Sequence, residues 1–140
     1  MPRISQTFFV FAALCGTFGM GWGIYMGLSQ DHSTFTAHAH LNLLGWVSAA
    51  LMGGFYTLAK DRISGPLPWV NFGLLSFGIV IMIPALACKV SGMHAGWIDA
   101  GLGIGSISAF LGMATFAAAV LLAVFWPVKV AAQKLQLHPA

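Results

Sequence analysis

The chain has 140 residues, of which 59% are hydrophobic and only 6% are charged. A soluble domain carries roughly 25% charged residues because its surface faces water, so this composition excludes a soluble domain and predicts a membrane protein. The formal net charge of +3 comes from scattered lysines and arginines that form no basic stripe. Nucleic-acid binding is therefore not expected.

Four apolar blocks follow one another along the chain, separated by charges and by Pro/Gly clusters. They cover about residues 7–28, 35–59, 67–88 and 98–126. Each exceeds the ~20 apolar residues that cross a ~30 Å hydrocarbon core, and a backbone in lipid must satisfy its own hydrogen bonds. The sequence therefore predicts an all-α membrane protein, a four-transmembrane-helix bundle that forms a single domain over residues 1–140.

The lysines and arginines predict how the bundle lies in its membrane. One side of the four-span arrangement carries Arg3, Lys60, Arg62, Lys129 and Lys134, and the other side carries only Lys89. Because cytoplasmic loops are enriched in Lys and Arg, we expect a multi-pass protein of the bacterial inner (plasma) membrane with both termini in the cytoplasm. The start of the second span and the loop over 89–97 then face outward.

Small residues recur at spacings of three or four positions in the first and fourth spans. They are Gly19, Gly23 and Gly27 in the first, and Gly101, Gly105, Ser108 and Gly112 in the fourth. Such spacing lets two helix backbones approach closely, so it indicates either tight packing of helices or subunits, or space for a flat cofactor. Four helices alone bury little surface, which makes a homo-oligomer a reasonable expectation.

Histidines gather near the outward face of the predicted bundle. His38 and His40 lie at the outer boundary of the second span, and His94 lies in the loop on the same side. Residues two apart on a helix are separated by about 200°, so we predict that His38 and His40 face different neighbours. Polar groups at this depth are typically functional, and imidazole suits iron, copper and zinc. His38, His40 and His94 are therefore the candidate metal ligands.

Three other polar residues have simpler interpretations. Asn42 and Asn71 are typical of hydrogen bonds between helices, although Asn42 is also a candidate neighbour of a cofactor. Asp99 is interpreted as the N-cap of the fourth helix. All three are rare polar positions in an apolar chain.

The stretch "HAHLNLLGWVSAALMGGFY" covers residues 38–56. It resembles the second-helix signature of reduced and divergent members of the haem–copper oxidase subunit I superfamily, and is similar to the pattern of the NnrS-like haem- and copper-containing membrane proteins of nitric-oxide response. The resemblance implies that His38 or His40 is an axial ligand of a haem b. Nothing in the chain matches the oxidase segments that hold the active-site copper, so reduction of dioxygen to water is not expected.

Three hypotheses follow for function. The first is a small b-type haem protein in which His40 or His38 ligates the iron, with Trp46 and Asn42 beside the cofactor and His94 as a second ligand or a ligand of copper. It would serve electron transfer with a redox partner, or bind NO or O2. The second is a haem-free copper or zinc protein that uses the same histidines. The third is a structural or assembly subunit of a respiratory complex, in contact with membrane lipid and without a metal.

Overall fold

The computed structural model describes residues 1–63 and 65–125. Four long helices cover most of this part of the chain: α1 over Arg3–Ser29, α2 over Phe35–Leu58, α3 over Leu67–Val90 and α4 over Gly96–Phe125. All four are long and apolar enough to cross a membrane, and the described residues contain no strand. The four predicted blocks are confirmed as helices, with ends that differ by about one turn at most. Residue 126, the expected end of the fourth block, lies outside the described residues.

Helix α2 is not a uniform α-helix. It is α-helical over Phe35–His40, π-helical over Leu41–Ser48, and α-helical again over Ala49–Leu58. Within the π segment the Ser48 hydroxyl donates to the carbonyl of Leu43, five residues back, at 2.9 Å. The sequence analysis did not predict this segment, which directly follows His40, and π segments are frequent at functional sites.

Helices α1 and α2 pack as an antiparallel pair through small residues. Ala12 and Ala49 are 2% and 0% exposed at the centre of the contact. A Cβ added to Gly45 would lie 2.9 Å from the Cys15 sulfur, and one added to Gly53 would lie 3.0 Å from Cβ of Phe8. The first-span glycines Gly19 and Gly23 belong to this interface, described below, whereas Gly27 has open space around it.

Helices α3 and α4 approach closely enough for their backbones to touch. A Cβ added to Gly78 would lie 2.5 Å from the backbone nitrogen of Ala109, and one added to Gly105 would lie 2.7 Å from that of Met82. The Ser108 hydroxyl donates to the carbonyl of Leu74 at 2.8 Å. In the fourth span the small residues Gly105 and Ser108 thus serve helix packing.

Helix α4 packs chiefly on α3, and aromatic side chains of α4 and α2 meet at one end of the bundle. There the ring of Phe116 lies 5.2 Å from that of Phe55 and 6.0 Å from that of Tyr56, between centroids. Arg62 Nη1 donates to the carbonyl of Ala123 at 3.1 Å. We call this end, where α1 begins and α2 ends, the Arg3 end, and the opposite end the His40 end.

Candidate metal and cofactor site

The imidazoles of His38 and His40 have different neighbours, as the helical spacing predicts. His38 is half-buried against α1: a Cβ on Gly23 would lie 3.1 Å from its Cε1, and its ring centroid is 6.5 Å from that of Trp22. The side chain of Trp22 is fixed in turn, since its Nε1 donates to the Thr34 hydroxyl at 3.1 Å. His40 is exposed on another face of α2.

One ring nitrogen of His40 is hydrogen-bonded to the backbone of its own helix. Its Nδ1 lies 2.8 Å from the carbonyl oxygen of Thr36, and because a carbonyl can only accept, Nδ1 carries the proton in this hydrogen bond. The neutral ring then has its lone pair on Nε2. Metal-ligating histidines commonly show this arrangement, in which the hydrogen bond fixes both tautomer and ring orientation.

A groove runs between α2 and α4, with α3 as its floor. We call it the His40 groove; its volume is about 310 Å³, and its lining residues are His40, Leu44, Leu75, Met82, Ser106, Ala109, Phe110 and Met113. The lining is apolar apart from the His40 imidazole and the Ser106 hydroxyl, and that hydroxyl lies 3.3 Å from the Met82 sulfur. A mostly apolar cleft with a few polar groups is typical of ligand and cofactor sites.

Asn42 and Trp46 do not line the His40 groove. A Cβ on Gly19 would lie 2.5 Å from Asn42 Oδ1, and one on Gly16 would lie 2.9 Å from Cγ of Trp46. Asn42 Nδ2 also donates to the carbonyl of His38 at 2.9 Å. His38, Asn42 and Trp46 therefore form one cluster, the α1-facing cluster, and His40 stands apart from it.

His94 lies exposed in the loop between α3 and α4. Among the described residues no three His, Cys, Asp or Glu side chains are grouped so that they could hold a metal ion, so His38, His40 and His94 do not form one three-ligand site within this part of the chain. The N-cap prediction for Asp99 was wrong: the residue lies in the first turn of α4 and pairs with Lys89 at 2.6 Å.

The loop before α2 holds one carboxylate with a perturbed pKa. The backbone N–H of Ser33 donates to Asp31 Oδ1 at 2.9 Å. This hydrogen bond, with smaller contributions from the Ser33 side chain and the charge of His32, lowers the pKa of Asp31. This carboxylate lies in the loop that connects α1 to the helix carrying the histidines.

The groove walls contributed by α3 and α4 are the part of the site that sequence reasoning missed. Met82, Ser106 and Phe110 lie in apolar runs that carry no local signature of a site. They line a groove together with His40 because α4 packs on α3 and leaves a space between α4 and α2. That arrangement depends on the contact between Gly78 and Gly105, which periodicity alone does not reveal.

Comparisons with protein-family models, characterised proteins and solved structures give no match to this chain.

Proposed function

We propose that the chain is a small integral membrane b-type haem protein in which His40 is an axial ligand of the iron. The observation that supports this most directly is the hydrogen bond from His40 Nδ1 to the Thr36 carbonyl at 2.8 Å, on a side chain that lines an apolar groove. It leaves Nε2 as the nitrogen available to a metal. The resemblance of residues 38–56 to second-helix haem-ligand signatures points the same way.

The lining of the His40 groove suits an apolar group, because six of its eight residues are apolar. Along the helix axis, His40 lies about 7.5 Å from the start of α2 at Phe35, whereas Leu75 and Met113 lie nearer the middle of their helices. The residues that would hold a haem here are His40, at the iron, and the apolar side chains of Leu75, Phe110 and Met113. Haem, when bound, supplies a one-electron couple and, if one axial position is open, a site for a diatomic gas.

The α1-facing cluster has a different role in this proposal. His38, Asn42 and Trp46 contact Gly23, Gly19 and Gly16 of α1, so they position α2 against α1. They support His40 indirectly, by fixing the helix that carries it.

A haem-free copper site is the second candidate. The thioethers of Met82 and Met113 line the same groove as His40, and soft sulfur ligands favour Cu(I). Metal analysis of the purified protein separates the two candidates: iron with a porphyrin spectrum supports the first, and copper without iron supports the second.

The test of the haem proposal uses two neighbouring histidines as a matched pair. Protein purified from haem-replete cells is expected to show a Soret band, which His40→Ala removes and His38→Ala retains. Imidazole added to His40→Gly protein is expected to restore the band, because it replaces the missing ligand without altering the helix. A colourless wild-type protein without iron, or a band lost in His38→Ala and kept in His40→Ala, contradicts the proposal.

We also propose that the chain lies in a bacterial inner membrane, with both termini on the cytoplasmic side. The Arg3 end carries Arg3, Lys60 and Arg62, and the His40 end carries Lys89. Lys129 and Lys134, which support the same orientation, lie outside the described residues.

A further inference from the structure

A second groove lies at the Arg3 end, between α1 and α3. We call it the Arg3 groove; its volume is about 460 Å³, and it is lined by Arg3, Gln6, Thr7, Val10 and Trp69. The two helices touch beside it, where the rings of Phe8 and Phe72 meet edge-on with centroids 5.1 Å apart. The groove is thus an open space next to a fixed helix–helix contact.

Among the described residues no carboxylate forms an ion pair with Arg3, although one acidic residue, Asp61, lies at the same end of the bundle. The first turn of α1 contains no acidic residue, and the ion pair found in residues 1–63 and 65–125, Lys89 with Asp99, lies at the opposite end. The whole chain has only three acidic residues. Guanidinium matches phosphate oxygens in geometry and charge, so an exposed Arg3 in a groove favours a phosphate-bearing ligand.

The remaining groups divide the groove into a polar and an apolar part. Thr7 and Gln6 direct their side chains to backbone carbonyls, of Arg3 at 3.0 Å and of Met1 at 3.4 Å. The Trp69 indole is half-exposed, and no hydrogen bond from its N–H is found among the described residues. Val10, 61% exposed, lies about 10 Å deeper along α1 than Arg3.

We propose that the Arg3 groove binds one anionic phospholipid. Its phosphate accepts from the guanidinium of Arg3 and from the indole N–H of Trp69, and an acyl chain lies along Val10. Free phosphate could make the same contacts with Arg3 and Trp69. Only a lipid also has an acyl chain that can contact the apolar wall of the groove. This site lies at the other end of the bundle from His40 and does not depend on the haem proposal.

The experiment measures which lipids stay bound to the full chain. Protein is equilibrated with equal amounts of phosphatidylglycerol and phosphatidylcholine, and the retained lipids are counted by native mass spectrometry. We expect retention of phosphatidylglycerol to fall about fivefold in Arg3→Gln, since a direct contact between an exposed cation and anion contributes at most ~1 kcal/mol. The matched control, Lys60→Gln, removes the same charge at the same end outside the groove and should change retention by less than about twofold, because that charge is screened.

Three results would overturn the proposal: no preference for phosphatidylglycerol in the wild type, equal losses in Arg3→Gln and Lys60→Gln, or displacement of the lipid by inorganic phosphate. The first two indicate only diffuse charge attraction, and the third indicates a site for free phosphate. Arg3→Lys provides a second variant should Arg3→Gln fold poorly. Lysine keeps the positive charge but lacks the planar guanidinium. Retention of phosphatidylglycerol that is intermediate between those of the wild type and Arg3→Gln therefore supports the site.

Discussion

At the scale of single residues, Asn71 connects three helices. Its side chain is fully buried; its Oδ1 accepts from the Tyr56 hydroxyl at 3.0 Å, and its Nδ2 donates to the carbonyl of Gly112 at 2.7 Å. The sequence predicts an interhelical hydrogen bond here, because an amide in an apolar block needs a partner. The sequence could not predict the partners, which come from α2 and α4.

We expect Asn71→Leu to destabilise the bundle by about 1–3 kcal/mol, since it leaves the buried Tyr56 hydroxyl without a partner and removes the side-chain hydrogen bond to the Gly112 carbonyl. Tyr56→Phe should cost less, about 0.6 kcal/mol, the mean for a hydrogen bond between membrane helices. Unfolding in detergent, followed by circular dichroism, measures both. In the Asn71→Leu background, Tyr56→Phe should lower the free energy of unfolding by less than it does in the wild type, or not at all. An equal decrease in both backgrounds would show that the two side chains are not coupled.

The histidines show both the reach and the limit of residue-level reasoning. The angle between His38 and His40 follows from helix geometry, and their separate neighbours agree with it. The identity of those neighbours does not follow, because His38 contacts Gly23 of α1 whereas His40 lines a groove with residues of α3 and α4. A candidate set of His38, His40, Asn42 and Trp46 therefore divides between two faces of α2.

At the scale of elements, the closest contact is the one between α3 and α4. Gly78 faces the backbone of Gly105 and Ala109, where an added Cβ would come within 2.5–2.9 Å of backbone atoms. Backbone atoms cannot move aside as a flexible side chain can. This interface places α4, and with α4 one wall of the His40 groove.

We expect Gly78→Ala to lower the free energy of unfolding by about 1–3 kcal/mol, the usual cost of overpacking. The matched control is Gly73→Ala in the same helix: no atom lies within 4 Å of its added Cβ, and alanine is the better helix former by up to about 1 kcal/mol. Detergent unfolding compares the two. Equal stability of both variants would mean that α3 and α4 are less closely packed than described.

The helices themselves are the most predictable elements. Length and hydropathy are sufficient to predict four spans, because in lipid a helix is the simplest way to satisfy the backbone. The π segment of α2 is different, since Leu41–Ser48 has no composition that separates it from the flanking α-helical turns. Asn42, Gly45 and Trp46, which contact α1, all lie within it.

At the scale of the whole molecule, all four helices contribute to one cluster of buried apolar residues, but they do not pack equally on one another. α1 and α2 form one close pair and α3 and α4 form another; the first turns of α2 also pack on α3, and rings of α2 and α4 meet near the Arg3 end. The His40 groove is the space left between the pairs. Its existence could not be predicted from four separate spans, because it depends on their arrangement.

The orientation proposal predicts which loops a membrane-impermeant thiol reagent reaches. In a background of Cys15→Ala and Cys88→Ala, we expect Ser91→Cys to be labelled in intact spheroplasts and Asp61→Cys only after permeabilisation. Both positions are exposed, and an aspartate contributes little to orientation, so these changes should not reverse the protein. Labelling of Asp61→Cys in intact spheroplasts would contradict the proposal.

The π segment between His40 and Ala49 also affects how this helix is compared with others. A turn closed by a five-residue step holds one residue more than an α-helical turn, so the segment has the form of a single-residue insertion. A gapless alignment with a purely α-helical relative can match either the histidines or the turn around Gly53, but not both. In such an alignment, residues 35–40 and 49–58 should be matched as two separate segments, with a spacer of variable length between them.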